Sequence, residues 1–157
     1  MHCTRILAIR HGETAWNTES RIQGHTDIPL NDTGLWQAER VAQALLGESL
    51  QAVYSSDLQR ARTTAEAIAQ AQQLTLSLDP GLRERHFGHL EGLTHQEITA
   101  RWPEQARRWR ERDPAFGPDG GETLQAFYDR VVCTLAGLAR RHPGGCMINT
   151  VPLWRSP

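Results

Sequence analysis

A chain of 157 residues is sized for one domain built on one core. Hydrophobic residues make up 39% and charged residues 22%, the composition of an ordinary soluble protein, which argues against disorder. A formal net charge of -1 argues against nucleic acid or an acidic membrane as the main partner, so positive charge for an anion has to be local.

The apolar run Ile6 to Ile9 predicts a short buried strand, ending on Arg10, His11 and Gly12. Glycine lets the backbone turn sharply there, and ligands in open α/β sheets bind just beyond the carboxyl ends of strands. A histidine beside a permanent cation suits a site where Arg10 holds an anion while His11 attacks it. Ala15 to Leu30 has little apolar periodicity and reads as a loop carrying Asn17, Arg21, Gln23, Gly24, His25 and Asp27. A loop of that length inside a compact domain is usually functional or mobile.

Asn31 reads as an N-cap, and Leu35, Ala38, Val41, Ala42 and Leu45 mark one face of a helix ending at Gly47. Leu50 to Tyr54 is the second expected strand, followed by the capping cluster Ser55-Ser56-Asp57. Leu58, Ala61, Ala65, Ile68 and Ala69 give the next helix its buried face. Arg62 lies one turn into it, where the helix dipole does not favour a cation. It is either a solvated surface arginine or a guanidinium sharing an anion with the helix end.

Leu74 to Leu78 is a third strand, and the glycine-punctuated Leu82 to Gly92 reads as a loop. Thr94 and Glu97 form a capping box opening a helix that Pro103 interrupts or restarts, and Trp102 and Trp109 pack this insert onto the domain. Phe116 to Gly121 is irregular. The last long helix starts near Thr123 with Leu124, Phe127, Val131, Leu135 and Leu138 on one face, stops at Pro143-Gly144-Gly145, and precedes a strand over Cys146 to Val151. Strands alternating with amphipathic helices predict a three-layer α/β domain, a mainly parallel sheet with helices on both faces.

No apolar run approaches the roughly 20 residues of a membrane span, and the N-terminal residues lack a secretory pattern. Cys3, Cys133 and Cys146 form neither a disulfide framework nor a zinc spacing. A cytoplasmic protein is expected.

Arg10-His11-Gly12-Glu13-Thr14 with Asn17, then Gly24, Asp27, Pro29-Leu30, Gly34 and Gln37-Ala38, resembles the histidine phosphatase superfamily, also called phosphoglycerate-mutase-like. Ser55-Ser56-Asp57-Leu58 with Arg60-Ala61 and Arg62-Thr63-Thr64-Ala65 is similar to its second signature. Leu82, Glu84, Phe87-Gly88 and Glu91-Gly92 look like its third, and Gly121-Glu122-Thr123 like a fourth. The resemblance covers residues 6 to about 145 of a single domain, with a substrate-side insert over 94–120.

The resemblance implies that His11 is a nucleophile forming a phosphohistidine, that Arg10 and Arg62 clamp the phosphate, and that Glu84 is the general acid. Thr14, Asn17, Gln23 and Gly24 would contact phosphate or substrate. Phosphoryl transfer needs an in-line nucleophile and a fork of donors on the phosphoryl oxygens. A backbone acceptor such as Gly12 would fix the His11 tautomer. No cofactor or metal is expected; His86, His89 and Glu91 are a poor metal set without a further ligand group.

Two departures from the family pattern bear on function. The short insert favours a small phosphatase acting on phosphorylated metabolites over a cofactor-dependent phosphoglycerate mutase. Residues 146–157 lack the expected Ser-His-Gly after the last strand, Asn149 interrupts its apolar run, and the usual following helix is missing. Loss of that histidine would weaken the phosphate pocket, leaving an impaired enzyme or an inactive phosphate-binding or scaffolding protein as further readings. The missing helix would leave part of the sheet uncovered and invite a homodimer through that face.

Overall fold

The computed structural model describes residues 3–150. Four strands, β1 (Arg5–Ile9), β2 (Ala52–Ser55), β3 (Leu76–Leu78) and β4 (Cys146–Thr150), form one parallel sheet in the order β1-β4-β2-β3. The six helices are α1 (Ala15–Thr18), α2 (Asp32–Ala44), α3 (Gln59–Ala71), α4 (His95–Arg101), α5 (Pro103–Arg110) and α6 (Leu124–Ala139). β1 starts one residue earlier than the apolar run suggests, whereas β2 and β3 are one and two residues shorter than their sequence patterns.

The side-chain period of two along each strand sorts the sheet into two faces. Val53 and Ile148, both fully buried, share one face with Leu7, Ile9 and Leu76 and pack on Ala42, Ala65, Ile68 and Ala69 of α2 and α3. On the other face Tyr54 and Met147 pack with Leu82 and Leu138 of α6. β4 is therefore central, paired with β1 and β2. Helix α6 covers only part of its face: Phe127 and Leu138 are buried, whereas Val132 stays exposed on the helix and Ile6 and Ala8 stay exposed on β1. The missing helix expected after β4 concerns Val151 to Pro157, which lie outside the described residues.

Caps follow the sequence in most places. Asn31 Oδ1 accepts from Gly34 N, Thr123 Oγ1 accepts from Ala126 N, and Thr94 with Glu97 forms the expected reciprocal box. Helix α3 differs: Ser55, Ser56 and Asp57 do not cap it, and its N-cap residue Leu58 makes no side-chain cap bond. The acceptor comes from afar, as Asp27 Oδ1 lies 2.7 Å from Gln59 N. Asp57 pairs with Arg83 instead. The stretch read as one loop from Ala15 to Leu30 contains α1, and the loop from Leu82 to Gly92 contains a 3-10 turn at Gly88–Leu90. Pro103 restarts the chain as α5, and the insert packs through Ile22, Leu90, Ile98, Ala106 and Phe116, with Trp102 and Trp109 against them.

The central position of β4 makes its core side chain far more costly to truncate than one on β1. Ile148→Ala is expected to lose about 2–5 kcal/mol, and Ile6→Ala, 39% exposed, less than about 1 kcal/mol. Urea denaturation of both variants measures the difference.

Candidate active site

A cavity of about 220 Å³ opens at the carboxyl end of β1, lined by Arg10, His11, Asn17, Gln23, Gly24, Arg60 and Glu84. The turn that delivers His11 is docked on two helices. Gly12 N donates to Thr64 Oγ1 of α3 at 3.0 Å, and Glu13 N donates to Gln37 Oε1 of α2 at 2.9 Å. Gly12 and Gly34 approach backbone to backbone so closely that a Cβ on either would overlap the other segment.

His11 Nδ1 lies 2.7 Å from its neighbour's carbonyl, Gly12 O. A carbonyl can only accept, so Nδ1 carries the proton and Nε2 presents its lone pair. Burial drives the His11 pKa down to about 4, opposed by the Gly12 bond and reinforced by the nearby charges of Arg60 and Arg10. The ring is therefore neutral at physiological pH. Burial pushes the Glu84 carboxyl the other way, up from the carboxylate range, against the Arg85 N–H bond and the charges of Arg60, Arg10 and Arg130. A neutral imidazole and a carboxyl held toward its acid form thus face one small cavity.

The α3 arginine that lines this cavity is Arg60, not Arg62. Arg60 is 2% exposed, and its two terminal nitrogens donate to Gly24 O at 2.7 Å and Thr26 O at 3.0 Å. Arg62 is exposed and pairs with Glu66 one turn along α3. The structure does not bring Arg62 to Arg10 as expected; it is Arg60 that shares the cavity lining with Arg10. Two positions along a helix turn a side chain about 200° around the axis, which sends Arg62 to solvent when Arg60 faces inward.

Thr14 also takes a different part from the one expected. It is fully buried and does not line the cavity. It caps α1 in a reciprocal box with Asn17, and its hydroxyl lies 3.0 Å from Gln23 Oε1 and 3.1 Å from Asn17 Oδ1. With both amide oxygens engaged by Thr14, the amide nitrogens of Asn17 and Gln23 are the ends suited to donate to an anion. Gly24 lines the cavity with φ +56°, and a Cβ there would overlap the Glu91 carboxylate.

Sequence reasoning placed Glu91 in the third signature but gave it no role as an acceptor for backbone N–H groups. Its Oε1 accepts from His25 N at 2.9 Å and Phe87 N at 3.0 Å, and its Oε2 from Thr26 N at 2.8 Å. Burial alone would raise its pKa, but the bonds from Thr26, His25 and Phe87 outweigh that and lower it. The His86, His89 and Glu91 trio does not converge: His86 Nε2 sits 3.7 Å from Glu91, whereas His89 Nδ1 faces Asp119 O. Among the described residues no group of three or more His, Cys, Asp or Glu is placed to hold a metal ion.

The arrangement can bind a tetrahedral oxyanion between two guanidiniums and offer it a nucleophile and an acid. Comparison with known proteins points the same way. Residues 6–150 match the model of the histidine phosphatase superfamily, branch 1. Phosphoglycerate mutase-like protein 4 of Arabidopsis thaliana is 44% identical over 142 residues, 88% of this chain and 62% of that protein. The metal-independent phosphoserine phosphatase of the same plant is 40% identical over 144 residues, 90% of this chain and 60% of that protein. The chain thus spans about three fifths of the length of these curated relatives. A mycobacterial glucosyl-3-phosphoglycerate phosphatase solved with VO3 superimposes with TM-score 0.84 at 33% identity, over 92% of this chain and 73% of that one.

The two arginines separate cleanly in a binding experiment. Arg60→Ala is expected to weaken orthovanadate binding by about a hundredfold or more, since a buried charge-assisted fork is lost, while Arg62→Ala stays within about twofold of the parent. Calorimetric titration of both variants reads this directly.

Proposed function

The chain belongs to the histidine phosphatase superfamily, branch 1, and on that premise we propose that it is a phosphomonoesterase acting on small phosphorylated metabolites. The observation that carries the reading is the pairing of a neutral His11, proton on Nδ1, with a Glu84 whose pKa is raised, across one anion-sized cavity. Relatives bearing phosphatase names support it.

Arg10 and Arg60 hold the phosphoryl oxygens, with Asn17 and Gln23 donating from the loop side. The His11 Nε2 lone pair attacks phosphorus in line. The P–O bond to the alcohol breaks as the P–N bond forms, and the Glu84 proton passes to the departing alkoxide oxygen. The Glu84 carboxylate so formed takes a proton from water as that water attacks the phosphohistidine. Inorganic phosphate leaves, and His11 and Glu84 return to their starting protonation. Each step uses a group already on the cavity wall, and the barrier is lowered mainly by fixed charge and position.

Net release of phosphate is the test, because some relatives carry mutase names. Purified protein is expected to release inorganic phosphate from phosphomonoesters, and His11→Ala to abolish it. Isomerisation of a phosphoglycerate without phosphate release would replace this reading with that of a mutase. Turnover-independent vanadate binding with no catalysis would leave a phosphate-binding protein.

The pH profile follows from the two shifts. Activity is expected to rise as His11 loses its proton near pH 4 and to fall at higher pH as Glu84 ionises, above the ordinary carboxylate range. Glu84→Gln is expected to remove the alkaline fall and to cost about 10²–10⁴-fold in kcat for alkyl phosphates. A kcat/KM profile of parent and variant across this range checks both.

A further inference from the structure

The cavity has two chemically different ends. Arg10, His11, Arg60 and Glu84 make one; Ile22, Phe87 and Trp109 of the insert's apolar cluster, with His95 against Trp109, make the other. Phe87 and Trp109 are stacked, with ring centres 4.8 Å apart and planes 13° apart. The His95 ring meets Trp109 edge-on at 5.1 Å. Trp109 and Phe87 are anchored on the insert's apolar cluster, so the aromatic wall is fixed before a ligand arrives.

A cation, Arg21, also borders the cavity. Its charge is already balanced: Nε donates to Glu19 at 2.7 Å, and Nη1 lies 2.7 Å from Gly92 O and 3.4 Å from Glu97. Glu97 is itself fixed by the capping box of α4. The far end therefore offers rings and little net positive charge for a second anionic group. At about 220 Å³ the cavity lies below the roughly 300–1,000 Å³ of sites for drug-sized ligands, which suits a phosphate plus one ring.

We infer that the Phe87–Trp109–His95 wall is a subsite for the alcohol portion of the substrate, and that it selects phosphomonoesters carrying one aromatic or heteroaromatic ring over those carrying a carboxylate. The inference rests on the phosphomonoesterase reading for its chemistry. Its geometry can be tested without turnover. An additional ring against this wall gains offset or edge-to-face contact and loses water from an apolar surface.

The experiment compares three phosphonates, none of which can be cleaved: benzylphosphonate, methylphosphonate and 3-phosphonopropionate. Calorimetry on the full chain is expected to show benzylphosphonate binding about tenfold tighter than methylphosphonate, with 3-phosphonopropionate no tighter than methylphosphonate. Trp109→Ala is expected to bring the benzyl-to-methyl ratio close to one, and Trp109→Phe to keep most of it. His95→Ala, at an exposed position, lowers the ratio by a smaller factor and serves if Trp109→Ala does not fold. Equal binding of the benzyl and methyl ligands, or tightest binding of the carboxylate ligand, overturns the subsite. Hydrolysis of benzyl phosphate against O-phosphoserine, two esters with unactivated alcohols, completes the set. No phosphate from either, with the phosphonate order intact, sinks the phosphomonoesterase reading and leaves the subsite standing. Hydrolysis of both with no preference for benzyl phosphate sinks the subsite alone.

Discussion

The basic end of the cavity depends on holding one guanidinium almost entirely out of water. Arg60 is 2% exposed, and removing a cation from solvent costs several kcal/mol unless its donors are met. Two carbonyls meet them, Gly24 O and Thr26 O, from the loop after α1. A short loop presents two carbonyls inward only if its N–H groups are satisfied elsewhere, and Glu91 supplies that. One carboxylate accepts from His25 N, Thr26 N and Phe87 N together, binding the loop after α1 to Phe87, just before the 3-10 turn. Burial favours the neutral form of Arg60, while Glu84, Asp27 and Glu91 favour its charge. The buried cation, the loop and the glycine at φ +56° form one interdependent unit.

The acid is mounted by a second unit of similar design. Arg130 of α6 reaches Gly81 O at 2.9 Å, Arg83 O at 3.1 Å and Glu84 O at 3.2 Å, and pairs with Glu122. Arg85, 5% exposed, donates to Phe116 O at 2.7 Å and Glu122 O at 3.1 Å. Arginines flank Glu84 in sequence, yet Arg83 turns to Asp57 and Arg85 to the 116–122 stretch. Arg83 is held in a side-chain ion pair and Arg85 on backbone carbonyls, and only the Glu84 side chain among these three lines the cavity. The Gly121-Glu122-Thr123 stretch accordingly works as a bracket: Glu122 receives Arg130 and the His86 N–H, and Thr123 starts α6.

Much of this was legible in sequence because it rests on local rules. An apolar run ending in Arg-His-Gly, Asn31 before an amphipathic stretch, and the Thr94–Glu97 box each state their geometry within a few residues. What was illegible depends on facing or on distant partners. Arg60 and Arg62 are equally near a helix start, but Arg60, Thr64 and Ile68 repeat every four residues beside Ala61 and Ala65, and all five are buried. That spacing, read to its N-terminal end, puts Arg60 on the inner face and Arg62 on the outer one. Asp27 capping α3 and Glu91 binding the loop after α1 had no local signal, since their partners lie 32 and 65–66 residues away in sequence.

One physical cause places both reacting groups in their useful forms. Loss of water disfavours charge on any side chain, which lowers a histidine and raises a carboxyl. The proposed reaction needs His11 neutral and Glu84 protonated, so burial of the two side chains serves a nucleophile and an acid at once. The arginines do not treat the two alike: their positive field helps keep His11 neutral but favours the ionised form of Glu84. A bound phosphate dianion cancels much of that field. Its arrival therefore raises Glu84 further, toward the protonated state needed for the leaving group, and raises His11 from a value low enough to leave a margin below neutral pH. In the proposed reaction the acid is armed by the substrate's own charge, while the nucleophile tolerates that charge because burial and the Gly12 carbonyl have already settled where its proton sits.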